Sequence, residues 1–151
     1  MLTATCHCGA VKVHVPRTPA SLTSCNCSIC RRYGVLWAYY KDAEVELVAS
    51  PGATDEYVWG SKSQKFVRCK ECGCVMQWKK FSVGENTNTG VNARNFEPSA
   101  IEAVKIRLLD GAKLGSTLVR RPQRQVKPDA AHNGTGRPAA SFFRASASPA
   151  G

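Results

Sequence analysis

No stretch of this chain approaches the roughly 20 consecutive apolar residues that a membrane-spanning helix needs, so no span is expected. The start, Met1-Leu2-Thr3-Ala4-Thr5-Cys6, has neither the basic nor the apolar region of a secretory leader. These absences lead to the expectation of a cytoplasmic protein whose thiols stay reduced. No His-Glu-x-x-His pair, phosphate-binding glycine loop or ordered Ser/His/Asp set occurs, which removes the commonest signatures of zinc proteases, nucleotide enzymes and acyl transferases. A sustained 3.6-residue period is also missing, and with it helical bundles. Little net charge sits on residues 1–110, where 14 Lys and Arg face 10 Asp and Glu, although the whole chain stands at +10. The excess is in the last quarter: residues 111–151 hold seven basic side chains and one acidic. The first 110 residues also lack a recognition helix or a platform of aromatics interleaved with basic residues, which argues against a nucleic-acid surface there.

What the chain does have is patterned cysteine. Seven of its eight cysteines fall in three clusters: Cys6-His7-Cys8-Gly9, Cys25-Asn26-Cys27-Ser28-Ile29-Cys30 and Cys69-Lys70-Glu71-Cys72-Gly73. In a reducing compartment such spacing reads as metal ligands rather than disulfides, and Cys-x-Cys partners sit too close along the chain to bridge comfortably.

Between the clusters the pattern is that of a mainly β domain of short antiparallel strands. Val11, Val13 and Val15 alternate with Lys12 and His14, and Val45, Leu47 and Ala49 alternate with Glu44, Glu46 and Val48. Val35–Tyr40, Tyr57–Trp59, Lys65–Arg68, Val75–Trp78 and Val104–Leu108 read as further strands, with Pro51-Gly52 a turn and a short helix starting near Pro98. At 151 residues there is room for one domain and an appendage. We place the domain at residues 1–112. Residues 113–151, rich in Pro, Ala, Ser and Arg, form a basic tail too poor in apolar surface to offset chain entropy, and are expected to be disordered. Such a tail offers an arm for nucleic acid or an acidic partner.

Cys6, Cys8, Cys69 and Cys72 form two pairs, each followed by a glycine. Glycine accepts the left-handed turn that lets backbone N–H groups face a sulfur. Two such knuckles make a closed four-sulfur zinc site with a structural role. His7 reads as a surface side chain. Cys25, Cys27 and Cys30 offer three sulfurs, with an extended Cys25–Cys27 segment and a turn through Ser28-Ile29 bringing Cys30 round. Three protein ligands leave a fourth position open, the arrangement of a catalytic zinc. The competing reading closes this site with Cys74, His14 or another residue. Cys74 otherwise reads as a small buried side chain. A zinc held by three thiolates is soft and favours sulfur, so thiol chemistry fits better than peptide or phosphoester hydrolysis. Arg31 and Arg32 are candidates to dock the carboxylates of an acidic thiol such as glutathione. Trp37, Tyr39 and Tyr40 are candidates to wall the pocket, with plain core as the alternative. No His or carboxylate stands out as a proton relay, which leaves water or Ser28.

The motifs Cys-His-Cys-Gly-Ala-Val, Cys-Asn-Cys-Ser-Ile-Cys-Arg-Arg-Tyr-Gly and Cys-Lys-Glu-Cys-Gly resemble those of the glutathione-dependent formaldehyde-activating enzymes, a family that includes the centromere-protein-V-like domain. The likeness runs from about Thr3 to Ala112 and takes in Gly90-Val91-Asn92-Ala93-Arg94 and Leu108-Leu109-Asp110-Gly111-Ala112. It implies a zinc-bearing β-tent fold and two zinc ions per chain. It further implies a structural ion on Cys6, Cys8, Cys69 and Cys72, and a catalytic one on Cys25, Cys27 and Cys30. The implied activity is that of a carbon–sulfur lyase, which reversibly forms S-hydroxymethylglutathione from glutathione and formaldehyde. The alternative function is a non-catalytic zinc module that binds a macromolecule through its basic tail. The family pattern ends shortly after Asp-Gly-Ala, whereas Lys113-Leu114-Gly115 here opens a sequence of no family character, expected to be a fusion or frame-shift product.

Overall fold

The computed structural model describes residues 1–58, 62–82, 84 and 86–113. The expectations placed on the tail, its disorder, its origin and its role as an arm, lie outside the described residues. The chain runs β1 (Leu2–Thr5), β2 (Val11–Val15), β3 (Leu22–Cys25), α1 (Ser28–Tyr33), β4 (Trp37–Lys41), β5 (Glu46–Ala49), β6 (Thr54–Val58), β7 (Gln64–Cys69), β8 (Val75–Lys80), β9 (Asn88–Asn92) and β10 (Ile106–Leu109). The expected helix at Pro98 is a single 3-10 turn, Pro98–Ala100. The mainly β expectation holds. No helix among the described residues is long and apolar enough to cross a membrane.

The strands form two sheets. The smaller has the order β1-β2-β5 and the larger β10-β3-β4-β9-β8-β7-β6. Pairing is antiparallel with one departure from the expected pattern: β10 runs parallel to β3, matching Ile106 with Leu22 and Leu109 with Cys25. The 80 or so residues separating those two strands permit the crossover that a parallel pair demands. The consequence is local: the end of the last strand is delivered to the segment that carries Cys25.

The period-2 alternation of β2 does what it predicts. Val11, Val13 and Val15 are buried, and Lys12 is exposed. They pack with Ala4, Leu22, Ala38, Tyr40, Met76 and Val91, so one face of the large sheet closes on the small one. Its other face carries Trp37, Phe66 and Val75, which pack with Cys30 of α1 and Val35. Burying apolar surface on both faces at about 25 cal/mol per Å² supplies the main drive for folding.

Four of the strands and helices were not read from the sequence, β1 (Leu2–Thr5) among them. Strand β9 reads Asn-Thr-Gly-Val-Asn, a composition that β propensity disfavours. It forms because it pairs with both β4 and β8 and is buried from Thr89 to Asn92. Strand β3 is only four residues long and half polar. Helix α1, six residues, is too short to show a period and closes at Gly34, which adopts φ +61°. A bulge between β7 and β8 shifts the register at Val67/Arg68 and leaves Val75, Met76 and Gln77 all buried.

Gly90 in β9 is required by close approach rather than by a turn. A Cβ there would lie 2.1 Å from Trp78 Nε1 and 2.7 Å from its Cδ1. The Gly90→Ala variant should therefore lose about 1–3 kcal/mol of stability through overpacking. Denaturant titration followed by tryptophan fluorescence will measure it; an unchanged midpoint would contradict the packing described.

Candidate metal centres and the cavity beside them

The four outer cysteines meet at the junction of two hairpins. Cys6 and Cys8 flank the turn between β1 and β2, while Cys69 ends β7 and Cys72 lies in the turn before β8. Each turn is built in the same way. Gly9 at φ +82° lets its N–H donate to the Cys6 carbonyl at 3.0 Å, and Gly73 at φ +73° does so to the Cys69 carbonyl at 2.9 Å. The Val11 N–H also donates to Cys6 Sγ at 3.2 Å. The Cys6–Cys8 and Cys8–Cys69 sulfur separations are 3.5 and 3.6 Å. Tetrahedral zinc with bonds of about 2.3 Å sets its ligands about 3.8 Å apart, so the donor set fits such an ion. All four sulfurs lie within 4.8 Å of one another. His7 is exposed.

The second group gathers at the start of α1. Cys25 ends β3, Cys27 occupies the residue before the helix, and Cys30 lies in its first turn, buried. The turn expected through Ser28-Ile29 is thus helical: three residues along a helix return Cys30 to the side of Cys27. The three sulfurs also lie within 4.8 Å of one another, and no fourth His, Cys, Asp or Glu among the described residues joins them. The competing closure by His14 or Cys74 does not occur there. His14 Nδ1 pairs with Thr3 Oγ1 at 2.8 Å. Cys74 is half-buried beside the four-sulfur group, where it feels Cys72 and Cys6.

Crowded thiols cannot all ionise without a cation, and their proton affinities spread apart accordingly. Burial pushes the Cys30 thiol up, against the donation from Trp37, and its neighbours Cys27 and Cys25 add to the rise. Burial also raises Cys25, opposed by the Cys27 N–H. Burial acts on Cys27 in the same sense, but the N–H of Cys30 and the thiols of Cys30 and Cys25 outweigh it and bring Cys27 below the ordinary thiol range. In the other group the N–H groups of Cys74 and Cys8 bring Cys72 down to about 5. Cys8, despite the Ala10 N–H, is pushed up to about 12 by desolvation and by Cys6, Cys69 and Cys72. In each group one sulfur, Cys27 or Cys72, is thus set below the ordinary thiol range while a neighbour is pushed above it.

A cavity of about 590 Å³ opens against the three-sulfur group, lined by Cys25, Cys30, Arg31, Arg94 and Asp110 among others. Of the two arginines singled out in the sequence, Arg31 reaches it. Arg32 does not, and donates instead to the Ser28 carbonyl at 2.8 Å. Ser28 is exposed and outside the cavity wall. The aromatic candidates divide. The Trp37 Nε1–H donates to Cys30 Sγ at 3.2 Å. Tyr40 belongs to the core between the sheets and donates to the Arg17 carbonyl. Tyr39 packs edge-on against Trp78.

Sequence reasoning missed Asn26, Gly111 and Arg94 as parts of this site. Asn26 clasps the segment after β10: its Nδ2 donates to Asp110 Oδ1 at 2.8 Å, and its Oδ1 accepts from the Ala112 N–H at 2.9 Å. That clasp lays Gly111 on the sulfurs, where a Cβ would lie 2.4 Å from Cys25 Sγ and 3.2 Å from Cys27 Cβ. No local signal marks these partners, because 84 and 86 positions separate Asn26 from them.

Residues 1–105 match the family described as glutathione-dependent formaldehyde-activating enzyme. The chain belongs to this family. Among solved structures it is similar to the crystal structure of a Rhodobacter sphaeroides protein, with 27% identity and a TM-score of 0.57 over 70% of this chain and 99% of that one. Comparison with curated proteins gives no match. The family description points to an enzyme that acts on glutathione and formaldehyde, and the two cysteine groups of this chain are arranged so that each could hold a metal ion.

The contact at Gly111 generates a direct test. Gly111→Ala should force the Asp110–Ala112 segment off Cys25 and cost about 1–3 kcal/mol. Gly84→Ala, where the added Cβ would meet Thr87 Oγ1 at an ordinary 3.8 Å, should cost less. Equal melting temperatures for Gly111→Ala and the wild type would show that the segment does not press on the sulfurs.

Proposed function

We propose that the protein is a zinc-dependent enzyme of carbon–sulfur lyase type that joins a small thiol to a small aldehyde and splits the adduct again, with glutathione and formaldehyde as the pair. The observation that carries this reading is the contrast between the two sulfur groups. One has four members and lies between hairpins; the other has three and borders an open cavity of about 590 Å³. A zinc ion held by Cys25, Cys27 and Cys30 would supply a soft electrophilic position at which a substrate thiol loses its proton.

The chain's own residues supply the rest. Cys25 and Cys30 border the cavity, so substrate sulfur approaches from that side, while Gly111 covers Cys25. The Trp37 N–H on Cys30 Sγ fixes that sulfur's orientation and draws off part of its charge, as outer hydrogen bonds to metal ligands do. In the forward direction a carbon–sulfur bond forms between thiol and carbonyl carbon, and the thiol proton ends on the carbonyl oxygen. The reverse direction breaks that bond and returns the proton. Water in the open cavity carries it. Holding the two reactants together supplies most of the acceleration, because the uncatalysed condensation already proceeds between a thiolate and a reactive aldehyde. Cys6, Cys8, Cys69 and Cys72 would hold a structural ion, whose binding would contribute folding free energy outright.

Two zinc ions per purified chain are expected by elemental analysis. Cys27→Ser should retain the fold and one ion while abolishing exchange between glutathione and formaldehyde, read by NMR magnetisation transfer. Cys72→Ser should instead lose cooperative unfolding. X-ray absorption showing four protein sulfurs around both ions would overturn the reading, as would equal unfolding by the two variants.

A further inference from the structure

We propose that Arg94, with Arg31 beside it, makes the cavity selective for thiols that carry a carboxylate. This rests on the reading above that substrate sulfur enters there. Arg94 is held at both its backbone and its side chain. It lies in the 3-10 turn Ala93–Asn95, whose first residue donates its N–H to the Leu36 carbonyl at 2.7 Å. Its own N–H donates to Asn92 Oδ1 at 3.3 Å, and Asn92 is buried and donates to the Val75 carbonyl at 2.9 Å. The Arg94 Nε–H then donates to the Gly34 carbonyl, directly after α1. One edge of the guanidinium is thereby fixed, and its two terminal nitrogens have no partner among the described residues.

Arg31 follows Cys30 on α1 and lines the same cavity, also without an ion-pair partner among the described residues. The acidic residue in the cavity wall does not offset them. Asp110 already receives the Asn26 amide at 2.8 Å and the Lys113 ammonium at 3.7 Å. Apart from the sulfur group, the unpaired side-chain charge facing the cavity is therefore positive, and it is carried by planar donors that suit a carboxylate. A thiol whose sulfur sits at Cys25 and Cys30 would be read at its acidic end by Arg94. A neutral thiol of similar reactivity would find the same sulfur position and no anchor.

The test uses the full-length, zinc-loaded protein and S-methylglutathione, whose capped sulfur cannot form a thiolate, titrated by calorimetry beside its dimethyl ester. The acid should bind wild type at least tenfold more tightly than the ester. Arg94→Gln should weaken the acid about 10- to 100-fold, the range of a hydrogen bond to a charged group, and leave the ester unchanged. Arg94→Lys should recover part of the loss, and Arg32→Gln should match wild type. Equal binding of acid and ester, indifference to Arg94→Gln, or no binding of the acid by wild type would each overturn the proposal. Turnover separates the two readings. Arg94-dependent binding without glutathione–formaldehyde exchange leaves the carboxylate site standing and removes the enzyme. Exchange that is as fast with 2-mercaptoethanol as with glutathione does the reverse.

Discussion

Four sulfur atoms drawn from two hairpins of different sheets converge within 4.8 Å, and most of the architecture is arranged around that meeting. The β1–β2 hairpin belongs to the small sheet and the β7–β8 hairpin to the large one. Apolar packing of Val11 and Val13 from the first hairpin with Met76 from the second and Val91 of β9 adds to that hold. A domain of this size buries a modest core, so an interaction that holds two sheet ends in register has leverage on the whole. Left-handed glycines at positions 9 and 73 are what allow each turn to point its sulfurs inward instead of along the strand.

The three-sulfur group is held by different means. Its sulfurs come from a strand end and one helical turn, and its surroundings come from elsewhere in the chain. Trp37 supplies a donor from β4, and the segment after β10 lies over Cys25 under the grip of Asn26. Asn92, from β9, anchors both the Leu36 N–H and the Arg94 N–H. One buried amide thus couples the connection after α1 to the turn that presents the cavity's second arginine. The three sulfurs are thus packed and hydrogen-bonded on one side and border an open cavity on the other.

How much of this was legible beforehand depends on the range of the interaction. The β2 pattern was plain because alternation is a local consequence of the pleat, and the cysteine groups were plain because ligands cluster in sequence where a turn must bring them together. Strand β9 was hidden, since Asn88, Gly90 and Asn92 are poor strand formers whose state is imposed by neighbours on both sides. Helix α1 was hidden by its length. Arg32 looked equivalent to Arg31, yet one helical position turns it back to the Ser28 carbonyl and away from the cavity.

By itself the amino-acid order determined which residues can carry metal chemistry, how they divide into four and three, and that the frame holding them is built of strands. Ligand identity and turn geometry are short-range properties, written within a few residues of each sulfur. Tertiary structure alone decided what surrounds the three-sulfur group. The parallel pairing of β10 with β3 sets Gly111 against Cys25, and the turn after β9 brings Arg94 to the same cavity. Those contacts join residues some 60 to 86 positions apart. Their energies appear only once both sheets have formed, so no local pattern could have announced them.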